Sequence, residues 1–301
     1  MKISVLVLFG CFSFACAVTS FSQVQNSISS MGLKGKIKYV TEYNFKPVDI
    51  SNLQNSAAYK TISRFDEKGN KVRELTYTPD GALNSRANFN YDDDGRLLDQ
   101  RNYDANGKYL SADLYKYDKK GNEVSRKHYS PDGTVYMRTL SDYDEKGNLT
   151  QEQSFDAEGE PMGGARWKYD TSGNPVEEVV FDADETETRK TNYQYDSRGN
   201  VVTLSVTLYG LTHRTTFKYD DAGNKTEEDN YNAERRLDNR ITYKYDDKGN
   251  EAGQDYYSAD GQLQRRVVYK NEYDRQGNLV HRTEEGGGKE ITVLRKEIEY
   301  Y

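Results

Sequence analysis

The feature that most constrains this chain is a short phrase returning at nearly constant spacing. "YDEKGN" at 143–148 recurs as "YDKKGN", "YDTSGN", "YDSRGN", "YDDAGN", "YDDKGN" and "YDRQGN". Its aromatic anchors are Phe65, Tyr91, Tyr117, Tyr143, Tyr169, Tyr195, Tyr219, Tyr245 and Tyr273, spaced 26 residues five times and then 24, 26 and 28. A looser second set, Tyr77, Tyr103, Tyr129, Phe155, Phe181, Tyr231 and Tyr257, falls between them, usually with Gly four residues on. Self-similarity at a fixed period marks a repeat architecture and takes precedence over any local reading.

Each first-set aromatic is followed by Asp, two variable residues and Gly, as at Asp144 and Gly147. Asp suits the first position of a type I turn, because its carboxylate accepts the backbone N–H two residues on, and Gly takes the positive φ that follows. Together they make the three-residue hairpin loop with a bulge. Removing the turn residues leaves strands of about 8 to 10 residues with period-2 patterning. In "ALNSRANFNY", Leu83, Ser85, Ala87, Phe89 and Tyr91 share one face, with Asn84, Arg86, Asn88 and Asn90 on the other. The expected fold is all-β: a repetitive antiparallel hairpin meander, an extended, twisted or curved sheet of about eight 26-residue units.

The irregular units fit this reading. Around "SVTLYGLTHR" the repeat is two residues short, with "YG" placed as a tight turn, and "VVYKNEY" adds two. Even changes preserve side-chain facing, whereas an odd change would reverse it. Glu185 and Arg235 stand where Gly is expected, which predicts wider or more mobile turns there.

The expected organisation is a signal peptide at 1–22, an N-terminal segment with capping strands at 23–60, the repeat domain at 61–282, and a capping strand at 283–301. Lys and Glu in both end segments are expected to discourage edge-to-edge pairing, and residues 45–58 read as an irregular loop. Lys2, the apolar stretch after it and small residues at Ser20 and Ser22 read as a secretory signal, giving an exported protein in the periplasm, at the cell surface or outside. Lipid anchoring is the weaker rival, since "LFGC" and "SFAC" only approximate a lipobox. No later apolar run is long enough to span a bilayer as a helix.

Chemistry is thinly signalled. His128, His213 and His281 occupy different places in their repeats and have no cysteine partners, so neither a metal nor a catalytic triad is expected. The Asp-Gly loops lack the carboxylate spacing of an EF-hand. Acidic residues are numerous and periodic rather than unique, and "GGGKE" at 286–290 reads as a hairpin loop. The sequence therefore predicts no enzyme and no cofactor. A net charge of -7, without a basic run, argues against nucleic acid.

Tyrosine-rich faces carry the binding signal. With 26 tyrosines and mean hydropathy of -0.99, the chain has many flat amphipathic rings and little aliphatic filling. Trp167, Tyr193 and Tyr243, at equivalent places two residues before their anchors, are the candidate ligand-binding residues, suited to sugar rings or a protein partner. The bland alternative is that the aromatics only stack on one another. Equivalent Asn residues, such as Asn148 and Asn174, lie two strands apart and read as local turn features rather than an amide ladder.

The Y-D-x-x-G-N phrase followed by strands resembles the YD repeats of the Rhs family, seen also in large toxins and teneurin-like proteins. The resemblance covers about residues 60 to 282, and "LKGKIKYVTEYNF" is similar to the start of short secreted YD-repeat proteins of Bacteroidota. It implies a β-repeat wall, which in large members encloses cargo, and it implies carbohydrate binding. The expected partners are a polysaccharide or an envelope protein. The expected function is non-enzymatic binding or adhesion, with a structural or protein-interaction scaffold as the alternative.

Overall fold

The computed structural model describes residues 27–47, 56–286 and 289–301. The expected signal peptide and the middle of the expected 45–58 loop lie outside the described residues. Every named element is a strand. β1 (Ile37–Pro47) and β2 (Ser56–Phe65) open the fold. The next strands are β3 (Lys71–Tyr77), β4 (Leu83–Tyr91), β5 (Leu97–Asp104), β6 (Tyr109–Tyr117), β7 (Glu123–Tyr129), β8 (Val135–Tyr143) and β9 (Leu149–Asp156). They continue with β10 (Pro161–Tyr169), β11 (Pro175–Asp182), β12 (Glu187–Tyr195), β13 (Val201–Leu208), β14 (Leu211–Tyr219) and β15 (Lys225–Tyr231). β16 (Leu237–Tyr245), β17 (Glu251–Ser258), β18 (Leu263–Tyr273), β19 (Leu279–Gly286) and β20 (Lys289–Tyr300) complete the sheet.

Each strand pairs antiparallel with the next, and β20 pairs back onto β1, with Val40 opposite Ile298. The result is a closed 20-stranded barrel rather than an open meander. The end segments do not repel one another as unpaired edges: each is the other's partner, and closure removes the edge problem outright. Lys38 Nζ meets Glu299 at 3.0 Å across this seam. Residues 27–36 strap it from outside the strand order. Ile28 donates its N–H to Gly69, and Lys34 donates its N–H to Asn278 Oδ1 at 2.7 Å. Leu33, Ile37, Val40 and Phe65 form the barrel's best-buried apolar cluster there.

The turns form as the sequence requires. Asp144 N–H and Asn148 C=O pair at 2.9 Å, Gly147 N–H donates to Asp144 C=O at 3.0 Å, and Gly147 has φ 88°. A register shift between Asp142 and Tyr143 marks the bulge. Asn148 is a local feature, donating its backbone N–H and Nδ2 to the two carboxylate oxygens of Asp144 at 2.9 and 2.8 Å. Tyr209 and Gly210 make the two-residue turn, with Leu208 opposite Leu211. The turns at Glu185 and Arg235 are not widened. These residues adopt φ 60° and 63° and donate the same turn hydrogen bond that glycine donates elsewhere.

Because side chains alternate, the barrel wall has two unlike faces. One, the tyrosine face, carries the first-set aromatics and the residues two before them. It is the more enclosed, as the concave side of a closed sheet is: side chains of Glu123 and Lys71 are 5% and 11% exposed there. On the opposite face, Lys168 and Lys218 are 74% and 69% exposed.

Candidate functional site

The first-set tyrosines are tied into the wall. Tyr117 donates its hydroxyl to Leu97 C=O at 2.8 Å, Tyr143 to Glu123 C=O at 2.8 Å, and Tyr169 to Leu149 C=O at 2.7 Å. Tyr91, Tyr195, Tyr219 and Tyr245 repeat the bond to Lys71, Pro175, Val201 and Lys225. In every case the acceptor begins the strand after the preceding YD turn, so each tyrosine rivets its own hairpin to the one before. Burial pushes the hydroxyls of Tyr117, Tyr143 and Tyr169 up to about 12. The turn aspartates move the other way. The Asn148 amide and backbone N–H hold Asp144 below the usual carboxylate range, a use of the carboxylate that needs no metal.

The aromatics pack in part on one another, as Phe89 and Tyr115 do with Tyr91 and Tyr117, and in part against cations. Among the described residues, Tyr103 and Tyr109 make an edge-on pair at 6.1 Å, while many other rings face a cation. On the opposite face the second-set aromatics sit directly across from a basic residue: Lys60 lies over Tyr77 at 3.9 Å, Arg86 over Tyr103 at 4.6 Å, Arg138 over Phe155 at 5.2 Å, and Arg214 over Tyr231 at 4.5 Å. The signal was in the sequence, because these bases all stand five residues before a first-set aromatic. It becomes readable only once the register pairs them. Such contacts stabilise by about 0.5–1 kcal/mol at exposed places.

The three nominated residues fare differently. All lie half-buried on the tyrosine face, and equivalent units separate them, so they line a wall rather than converge. Tyr243 is committed to the fold. Its hydroxyl donates to Glu228 at 3.1 Å, and the Lys225 ammonium covers its ring at 4.3 Å. Burial opposes a charge on Glu228, but Lys225, 2.6 Å away, holds that carboxyl below its ordinary range. Tyr193 borders an open groove of about 620 Å³ with Asn174, Val176 and Tyr195.

Trp167 stands apart. Among the described residues its indole has no ring, cation or hydrogen-bond partner, and the residues before it on the same face are Ala165 and Gly163. The strands on either side carry larger groups at those levels, Glu152 and Ser154 on β9 and Val180 and Asp182 on β11. The wall is therefore recessed beside the indole. Glu152 and Ser154 border the recess from β9, opposite Ala165 and Gly163, and Glu178 borders it from β11, opposite Trp167 and held by Arg189 at 3.1 Å. A flat apolar ring beside hydroxyl and carboxylate groups is a surface that takes a polar ring with hydroxyl substituents.

The histidines stay apart. His128 meets Asp113 at 2.5 Å on β7, His213 is exposed on β14, and His281 contacts Glu272 at 3.5 Å from β19.

No family model matches the chain, and no curated protein matches it. Among solved structures, it is similar to a porin-like protein from Bacteroides uniformis ATCC 8492, at 11% identity over 87% of this chain and 98% of that one, with TM-score 0.37. It is also similar to TcdB2–TccC3, at 17% identity over 79% of this chain and 15% of that chain, with TM-score 0.33. The Photorhabdus luminescens Tc holotoxin pore follows at 13% identity over 78% and 19%, with TM-score 0.29. These likenesses are distant and bear on neither ligand nor activity.

Proposed function

We propose that this chain is an exported, non-enzymatic binding barrel that acts at the cell envelope or outside the cell and holds a carbohydrate against the Trp167 wall. The observation that carries the reading is the indole without a ring, cation or hydrogen-bond partner among the described residues, beside the Ala165–Gly163 recess, on a face where the other nominated rings are engaged or border a groove. Compartment and sugar class come from the signal-like N-terminus and the YD resemblance. The β-barrel is not read as a membrane pore. A lipid-facing wall needs an apolar band about 25 Å tall, whereas one face carries Lys168, Lys218 and Lys244 and the other Glu123, Arg126 and Glu228.

A scaffold with no small ligand is the second reading, favoured by the tyrosine rivets, which hold the wall together without any ligand. A glycan and bacterial-polysaccharide array separates the two. Binding by the wild type that is lost in a folded Trp167→Ala variant supports the carbohydrate reading. Absence of binding across the panel leaves the scaffold.

A further inference from the structure

On the face opposite the tyrosines, β2 to β5 bring together cations that the linear sequence keeps apart. The row perpendicular to the strands reads Arg64, Arg73, Asn88 and Arg101, each directly opposite the next. Arg64 and Arg73 face each other, and like charges in that relation destabilise a sheet. At the same place in two later units the pairs are complementary: Lys168 meets Glu177 at 2.8 Å, and Lys218 meets Glu227 at 2.7 Å. One level along, Arg240 and Arg266 are each matched to an aspartate, Asp229 and Asp255, at 2.6 Å. Only Arg101 in the row has an ion pair among the described residues, with Asp99 at 3.0 Å, and it remains 51% exposed.

Two further features point to a missing partner. Arg86 Nε and Asn88 Oδ1 are buried atoms with no hydrogen-bond partner among the described residues, and they lie on adjacent levels of this same face. A groove of about 600 Å³ runs over Arg64, Arg73, Asn88, Asn90, Arg101 and Tyr103. Asp66 and Glu67 of the first YD turn border it as well.

We propose that this arginine row binds an anionic polysaccharide, gripping carboxylate or phosphate groups carried on its rings. Neighbouring strands are about 4.8 Å apart, so Arg64 and Arg73 can fork onto one oxyanion. Arg101, two strands beyond Arg73 and so about 9.6 Å away, takes the next. That spacing suits an extended chain whose charged groups meet the arginines at alternate rings. Nucleic acid, with a phosphate about every 3.4 Å along each strand, is a denser line of charge than three arginines match. Asn88 Nδ2 and Asn90 Oδ1, whose residues both line the groove, are placed to meet hydroxyl groups between the charges. The arginines stand independently of the Trp167 reading, and only the choice of a glycan as the carrier of the anions rests on it.

The test is titration of the full chain with polygalacturonate, neutral dextran, inorganic phosphate, an acidic peptide and a single-stranded oligonucleotide. Arg73→Glu is the decisive variant, because it recreates the complementary pair of later units and so should fold at least as well, with Tm raised about 2 °C. The expected result is salt-sensitive binding of polygalacturonate, weakened about tenfold or more in Arg73→Glu and unchanged in Trp167→Ala. Equal binding by wild type and Arg73→Glu overturns the proposal. So does Arg73-dependent binding of the peptide, the oligonucleotide or phosphate alone, with none of the polysaccharide. Neutral-glycan binding lost in Trp167→Ala, together with indifference to polygalacturonate, sinks the arginine row while leaving the Trp167 reading intact.

Discussion

At the scale of single residues, the tyrosine of each YD phrase acts through its hydroxyl as much as through its ring. Tyr143→Phe keeps the ring and removes the donor to Glu123 C=O. It should cost about 0.5–1.5 kcal/mol in chemical denaturation. An unchanged midpoint would show that the bond contributes nothing. The same burial sets an alkaline limit. A phenol whose folded pKa is raised from about 10 stabilises fully below that value and loses its contribution as pH rises to the folded value. Tyr117, Tyr143 and Tyr169 stand at about 12. Stability should therefore fall between about pH 10 and 12, with a group of tyrosines ionising late in an absorbance titration at high pH. Arg235 makes the opposite case, holding φ 63° where glycine would be unstrained. Arg235→Gly should stabilise by about 1 kcal/mol, read by thermal denaturation. The turn phrase was legible because Asp and Gly have local geometric requirements. The hydroxyl's acceptor was not, because it belongs to another hairpin.

At the scale of elements, β10 is the strand that departs most from its repeat. Gly163 and Gly164 occupy the levels where other strands carry side chains, and Phe181 lies across the gap. A Cβ on Gly164 would come within 2.1 Å of Glu152 C=O and 2.8 Å of the Phe181 ring. Gly164→Ala should cost about 1–3 kcal/mol, measured by denaturant unfolding; a neutral result would mean that β9 and β11 yield freely. On the other face of the same strand, Gly163 and Ala165 leave the recess beside Trp167. The sequence marked Trp167 through its rarity and repeat position, but grouped it with Tyr193 and Tyr243 because periodicity treats equivalent positions alike. What separates Trp167 from Tyr243 is the neighbour on the adjoining strand: a lysine ammonium over Tyr243, and none over Trp167 among the described residues. The arginine row was invisible for a related reason. Arg64, Arg73 and Arg101 form no run in the chain, and only register aligns them.

At the scale of the whole molecule, period and turn chemistry dictate strand count and neighbour order, while closure depends on the accumulated twist and tilt of many strands and on whether the two ends meet. The end segments looked like protected edges because charged residues on an edge and charged residues in a seam have the same composition. Lys38 with Glu299 is such a pair, serving a seam. Closure is also what gives the tyrosine wall and the arginine row an enclosed and an outer side, so it is the premise of both binding assignments. Small-angle scattering of residues 27–301 tests it directly. An open sheet of 20 strands at about 4.8 Å spacing would be about 95 Å wide. Closed with strands tilted about 40°, the same sheet makes a barrel about 40 Å across. The closed barrel predicts a maximum dimension of about 50 Å with a hollow profile; a flat particle reaching about 95 Å would contradict it.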